Sequence, residues 1–466
     1  MIKLHGAINS AILALFIRKK GPVQGLVNLL AEKYGVPIAV STDNETPVDG
    51  RVTKGKLCIS TIHQFKGSER NLIILFGIDY SFFKYFDRDL SDDRCPNEVF
   101  VAVTRAAKQL VLVHDDKESL MPFVSVEALY ETAEIVNLTD KQAKIAPPHV
   151  PGRPLELGFT LPSSIAVQDI SRHIGDEFLD DIVTYYLCIR QLSPPLPEEE
   201  HIDLPTVVPL NPAERYHETV SDLNGLVVVT AYEYDLIGTL TALGGHDENV
   251  IDDIMPPVTS QQYVPWLCRR ACEYESYISG YRPRKIQLKN HAFDWIDPAK
   301  LALARKRLQG QLRDSAAELI FEAKVEKEKL RIANQTTRLY GQADVVGVSS
   351  TSDPNNGGRV ESLWEIKFAS QLSNEHVVQV CAYAYLLAQW PMEVPRIILY
   401  NVRDGEKWEI TPHNGRESLR GMVESVLRLK NTIKGEVGDE EFIEMCARAR
   451  DEALRVGGSG HGETVN

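Results

Sequence analysis

No apolar run in this chain is long enough to cross a bilayer, which takes about 20 residues. The opening run from Ala7 through Ile17 falls short of that. It does not read as a secretory signal either, because Arg18, Lys19 and Lys20 follow it instead of preceding it and no small-residue cleavage pattern comes after. It reads as a buried strand of an α/β sheet. Cysteine is sparse, seven in 466 residues without the spacing of a disulfide scaffold, so the thiols are expected to be reduced. That favours an intracellular protein, cytoplasmic or nuclear, with no membrane partner. Basic residues are not in excess: the formal charge of −14 excludes a protein that coats nucleic acid but leaves room for a local basic groove. A phosphate-cradling Gly-x-x-x-x-Gly-Lys-Ser/Thr loop is missing as well. Gly55-Lys56 is followed by Leu57, and the acidic pairs at Asp176, Asp247 and Asp439 do not end apolar strands, so the chain is not expected to hydrolyse ATP by itself.

What is present is an ordinary globular composition, 43% hydrophobic and 25% charged. The length suits about three domains. The stretch 339–367 organises the reading. It runs Leu-Tyr-Gly-Gln-Ala-Asp-Val-Val-Gly-Val, then a cluster of turn formers over 350–358, then Ser-Leu-Trp-Glu-Ile-Lys. Two strands joined by a looped return are predicted. Asp344 interrupts the first apolar run, and on the second Glu365 and Lys367 share a face while Trp364, Ile366 and Phe368 form the other. Glu-x-Lys alone is also the pattern of a solvated, salt-bridged strand face. With Asp344 beside it, two carboxylates and an ammonium meet at one sheet edge. That set suits a hard cation, Mg²⁺ or Mn²⁺, with Lys367 placed to hold or polarise a water. A helix follows from His376, with Gln379 and Tyr383 one turn apart on one face.

Gly-x-x-Asp, a later Glu-x-Lys strand and a Gln-x-x-x-Tyr helix together resemble the RecB-like branch of the PD-(D/E)XK nucleases. The resemblance implies that Asp344, Glu365 and the Ile366 carbonyl bind the metal, that Lys367 serves the nucleophile, and that Gln379 and Tyr383 line the DNA side. It also implies an acid or histidine on a preceding helix. Glu318 is the candidate, with Asp314 and Glu322 as rivals. Some members carry a four-cysteine iron–sulfur cluster. Cys268 and Cys272 lie upstream but only Cys446 lies beyond Tyr383, so no cluster is expected.

A second pattern lies nearer the start. A helix from Leu26 closed by Gly35 leads to a short strand from Val36. Residues 56–77 read as strand, loop and strand, with Thr61, His63, Lys66, Gly67 and Glu69 at the carboxyl end of the first, where α/β sheets bind phosphorylated ligands. Asn97-Glu-Val-Phe-Val-Ala-Val-Thr-Arg-Ala-Ala then precedes a strand over 109–114, with Arg105 near a helix end. In this order the segments resemble motifs of UvrD/RecB-type superfamily 1 helicases, Thr-x-His-x-x-Lys-Gly-x-Glu and Val-Ala-x-Thr-Arg-Ala, and the strand ending at Arg18 resembles an earlier one. The resemblance implies one RecA-like domain over about residues 8–115. Thr61, His63 and Lys66 would touch DNA or couple it to the nucleotide, Glu69 would lie by the ribose, and Arg105 would act as an arginine finger. ATP is expected only with a complete helicase core. A truncated product, a fragment of a longer protein and half of a split enzyme all fit.

Between these parts, 145–154 and 192–200 read as linkers, Asp180–Ile189 as part of a packing helix, Leu226–Ala231 as a strand and Asp235–Leu243 as a helix. A basic stretch from Arg282 through Arg307, with Tyr281, Phe293 and Trp295 interleaved, reads as phosphate contacts plus stacking rings. The expected organisation is therefore α/β throughout. A RecA-like parallel-sheet domain occupies 1–140 and a partly irregular connecting region 141–260. A restriction-endonuclease-like PD-(D/E)XK mixed α/β domain occupies 261–450, and a disordered tail 451–466. The expected partners are DNA, as single strands or ends, and a protein supplying the missing ATPase half. The expected function is Mg²⁺-dependent cleavage of DNA, as an exonuclease, in repair, recombination or replication; the rival expectations are the C-terminal part of an ATP-dependent DNA helicase and a non-catalytic DNA-binding accessory subunit that docks a partner ATPase.

Overall fold

The computed structural model describes residues 10–14, 22–40, 49–62, 65, 68–80, 94–115, 117–136, 153–171, 174–210, 216–244, 255–313, 318–349, 359–388 and 394–458. They form α/β structure with one parallel-strand sheet and one mixed sheet. The chain divides into two compact units. One is Met1–Ile17, Ile59–Phe159 and Thr432–Asn466, and the other is Arg18–Cys58 and Thr160–Asn431.

In the first unit Ser10–Ala14 pairs in parallel with Arg70–Phe76, which pairs in parallel with Ala106–Val113. Ala11, Ile12 and Leu13 are fully buried, the continuous apolar run that a strand covered on both faces requires. The helix Asn97–Val103 feeds the last strand, which starts three residues earlier than expected. Thr432–Val437 pairs antiparallel with Arg153–Phe159, and the helix Asp439–Gly458 follows. Residues 451–458, expected as tail, are therefore helical.

The second unit is built on the mixed sheet. Its order is Glu318–Ile332, Gln335–Val348, Val360–Lys367, Arg396–Asn401, Lys407–Pro412 and Leu187–Ser193, with Ser164–Ala166 pairing in parallel to Gln335–Val348. Val360–Lys367 and Arg396–Asn401 are parallel, so the chain must cross over between them, and the helix Asn374–Leu387 makes the crossing. Trp364, Ile366, Val345 and Phe321 face a core shared with the helices Ser221–Ile237, Tyr263–Ser279 and Pro298–Leu312.

Three expectations are corrected here. Of the expected connecting region 141–260, the part from Thr160 belongs to the second unit: Leu187–Ser193 pairs with Lys407–Pro412, covering ladder groups that an open edge would leave unpaired. Residues 18–58 likewise fold with 160–431. Leu226–Ala231 lies inside the helix Ser221–Ile237, which ends at Gly238 (φ 73°), so Asp235–Leu243 is a helix end followed by the short turn Thr241–Leu243. A helix buried on most sides carries apolar residues without a stripe, and the run of valines then mimics a strand. Among the described residues, no helix is long and apolar enough to cross a membrane.

Candidate active site

Asp344 and Glu365 lie one residue beyond the Val345–Trp364 pair of two antiparallel strands, which sets them side by side. Asp344 Oδ2 accepts a 2.8 Å hydrogen bond from the Ile366 N–H, fixing the carboxylate against the neighbouring strand. Glu365 is only 1% exposed. Its Oε1 lies 2.9 Å from Lys367 Nζ, yet neither oxygen makes a well-formed hydrogen bond among the described residues. Lys367 Nζ also donates to Gln379 Oε1 at 3.2 Å. The crossing helix therefore brings Gln379 to Lys367.

Burial, and then the charge of Glu365, push the Asp344 carboxyl up to about 7, against the opposing pull of Lys367 and the Ile366 N–H. Glu322 is raised well above the carboxylate range, first by burial and then by Asp344, Glu365 and Glu233. Asp344 and Glu322 each keep part of their surface open although protein atoms enclose them. Three acids thus sense one another, a costly arrangement that a cation would relieve.

Glu322, not Glu318, is the acid brought to this group. Glu318 is the exposed first residue of the strand Glu318–Ile332, not part of a helix, because this segment pairs antiparallel with Gln335–Val348 along its length. Glu322 adopts φ 48°, a left-handed conformation uncommon for a residue with a side chain, while Phe321 and Ala323 on either side keep regular pairing. Backbone strain of this kind gathers at functional sites. Asp314 lies outside the described residues.

Tyr383 does not line a surface. It is fully buried, and its hydroxyl has no well-formed hydrogen bond among the described residues, although Gln379 is close enough to act on it. Burial and then the charges of Glu365 and Asp344 push its pKa up. A Cβ on Gly341 would lie 2.6 Å from Tyr383 Cε1 and 3.3 Å from Val167 Cβ, so glycine lets the ring approach the strand. That gives the Gly of Gly-x-x-Asp a packing reason.

Asp344, Glu365 and the Ile366 carbonyl offer only hard oxygens, and Glu365, ion-paired with Lys367 but without a well-formed hydrogen bond among the described residues, suits a magnesium-type cation. Among the described residues, no group of three or more His, Cys, Asp or Glu forms a ready-made metal cluster. Cys268 and Cys272 are buried on the helix Tyr263–Ser279, where burial raises both thiols, Cys272 to about 12, and Cys446 is exposed.

The basic stretch is corrected. Tyr281, Phe293 and Trp295 are buried, Phe293 and Trp295 within the main core, so they cannot stack on bases. Arg284 is nine-tenths buried and paired with Asp222 and Glu275, Arg282 pairs with Glu32, and Arg305 with Asp235. These cations are taken up by ion pairs within the chain. A local run of charge does not reveal which way the side chains point.

Of the helicase-like residues, Thr61 ends its strand buried, Glu69 is exposed ahead of Arg70–Phe76, and Arg105 Nε donates to the Val101 carbonyl at 3.1 Å. Arg18, His63, Lys66 and Gly67 lie outside the described residues. Sequence reading missed Asn401, a buried amide ending an apolar strand, and His376, three residues after Ser373 in a capping box. Each left a signal: a polar residue closing an apolar run, and a Ser-x-x-His spacing ahead of a helix.

No curated protein matches this chain. The crystal structure of SSO0001 is similar at 15% identity over 44% of this chain and 85% of that one, with a TM-score of 0.21, too weak a likeness to carry any argument. Residues 56–113 match the family model of the UvrD-like helicase C-terminal domain, so this segment is similar to that part of such helicases.

Proposed function

We propose that this chain is a metal-dependent deoxyribonuclease, most simply an exonuclease, of a helicase–nuclease type protein acting in DNA repair, recombination or replication. The observation that carries it is Glu365: a buried carboxylate without a well-formed hydrogen bond, beside Asp344 and 2.9 Å from the Lys367 ammonium. A structural salt bridge needs no second crowded carboxylate, whereas a cation site does. The helicase-like part supplies the reason to take DNA as substrate.

Asp344, Glu365 and the Ile366 carbonyl would hold Mg²⁺ or Mn²⁺. When bound, the ion polarises a phosphate and acidifies water. Lys367, held by Glu365 and Gln379, orients the attacking water and balances charge gathering on the phosphate oxygens. The Ile366 N–H keeps Asp344 from swinging away. Glu322, whose carboxyl is pushed up by burial and by the neighbouring acids, would ionise more readily beside a bound cation, and Tyr383 is a buried ring near enough to feel the charges of Glu365 and Asp344. Nucleotide work by Thr61, Glu69 and Arg105 would need a phosphate-binding loop that residues 1–466 do not supply.

The test is digestion of end-labelled single- and double-stranded DNA with Mg²⁺, with and without ATP, comparing wild type with Asp344→Ala. Cleavage that is independent of ATP and lost in the variant is expected. DNA binding without cleavage by the wild type would instead favour an accessory subunit.

A further inference from the structure

Asn401 is the last residue of its strand, in register with Lys367 on the neighbouring parallel strand, and it is fully buried. A buried amide is costly unless each of its groups is bonded. Here they are. Oδ1 accepts from the Ala369 N–H at 3.2 Å and, more weakly, from the Arg403 N–H at 3.4 Å. Nδ2 donates to the Ala369 carbonyl at 3.0 Å and to Asp404 Oδ2 at 2.9 Å. The side chain thus bonds both main-chain groups of Ala369, as a neighbouring strand would, and continues the ladder one step past the strand end. The Val402 N–H donates to the Lys367 carbonyl at 2.8 Å. Asp404, itself buried, receives the Glu406 N–H at 2.9 Å and keeps the amide from rotating.

The consequence falls on Lys367. The segment 368–373 runs from this lysine to the helix Asn374–Leu387 that carries Gln379, and the lysine Nζ sits between Glu365 and Gln379. Its stem is flexible, so the position of Nζ depends on where the backbone leaves the sheet. We propose that Asn401, braced by Asp404, is a positioning residue for Lys367: it fixes the chain just after the lysine so that the ammonium is held between Glu365 and Gln379. This rests on the reading of Asp344, Glu365 and Lys367 as the reaction centre. Asn401 touches neither substrate nor metal in this account.

The experiment is trace acetylation of the full chain, with the labelling rate of each lysine read by mass spectrometry, in wild type and Asn401→Ala. Lys300, which bonds the Asp203 carbonyl, is the internal reference. Lys367 is expected to label several-fold faster in the variant while Lys300 is unchanged. In the cleavage assay kcat falls by about 100-fold, the cost of an ångström-scale misplacement, with KM unchanged. An unchanged Lys367 rate in folded Asn401→Ala, or a loss confined to KM, overturns the proposal. Should Asn401→Ala fail to fold, Asp404→Ala removes one of the two acceptors of the Asn401 amide, and a smaller rise at Lys367 is expected; no rise overturns it. Labelling reads the lysine directly, so it decides this point even if the protein cleaves no DNA.

Discussion

The Lys367 ammonium lies 2.9 Å from Glu365 Oε1, while Asp344, raised to about 7 by burial and by Glu365, crowds the same carboxylate. Attraction and repulsion therefore act on Glu365 together. Glu365→Gln removes the repulsion and keeps the shape. It is expected to abolish cleavage while leaving the melting temperature unchanged or higher, because Lys367 still reaches water and Gln379. Thermal melts and digestion of one preparation check both halves. A large fall in melting temperature would mean that Glu365 serves the fold.

The same crowding predicts stabilisation by metal. A cation that binds only the folded chain contributes about 2.7 kcal/mol at 100 times its dissociation constant. Mg²⁺ or Mn²⁺ is expected to raise the melting temperature, and a chelator to reverse it. Asp344→Ala should lose the response. A rise that persists in this variant would place the ion elsewhere.

Much of this site is legible in the sequence because it is local. Asp344, Glu365 and Lys367 lie on consecutive strands, and strand alternation alone sets the last two on one face. What was not legible depends on distant pairing or on direction. Leu187–Ser193 acquires its role only by pairing with Lys407–Pro412. Glu322 could not be separated from Glu318, because a positive φ inside a regular strand leaves no mark on residue type. Tyr281, Phe293 and Trp295 were misread because aromatic residues within a basic run look the same whether they face inward or outward.

His376 predicts a pH dependence. Its Nδ1 accepts from the Ser373 N–H at 3.1 Å in the capping box, which needs a neutral ring, and burial followed by the Lys367 charge depresses it from 6.5 to about 3. A depressed folded value makes the contribution complete above about 6.5 and lost progressively as pH falls from there toward 3. His376→Gln keeps an acceptor at the same helix position and cannot titrate. Wild type is expected to lose melting temperature between neutral and acid pH more steeply than the variant. Parallel curves for the two proteins would contradict this role.

The Lys56–Glu218 pair gives a stability prediction far from the proposed chemistry. Lys56 is fully buried and also bonds the His217 carbonyl, and Gln287 Nε2 donates to Glu218 Oε1 at 2.9 Å. Burial pushes the Glu218 carboxyl up and Lys56 pulls it back. Removing one partner leaves the other charge stranded, so Glu218→Ala is expected to cost about 3–5 kcal/mol. Replacing both at once, as Lys56→Met with Glu218→Leu, removes both charges and should recover most of that loss, since buried pairs are often worth little more than apolar packing. Denaturant melts of the two single variants and the double one decide it. If the double variant is no more stable than Glu218→Ala, the pair holds the fold by its bonds to the His217 carbonyl and Gln287, and charge balance is not the reason for it.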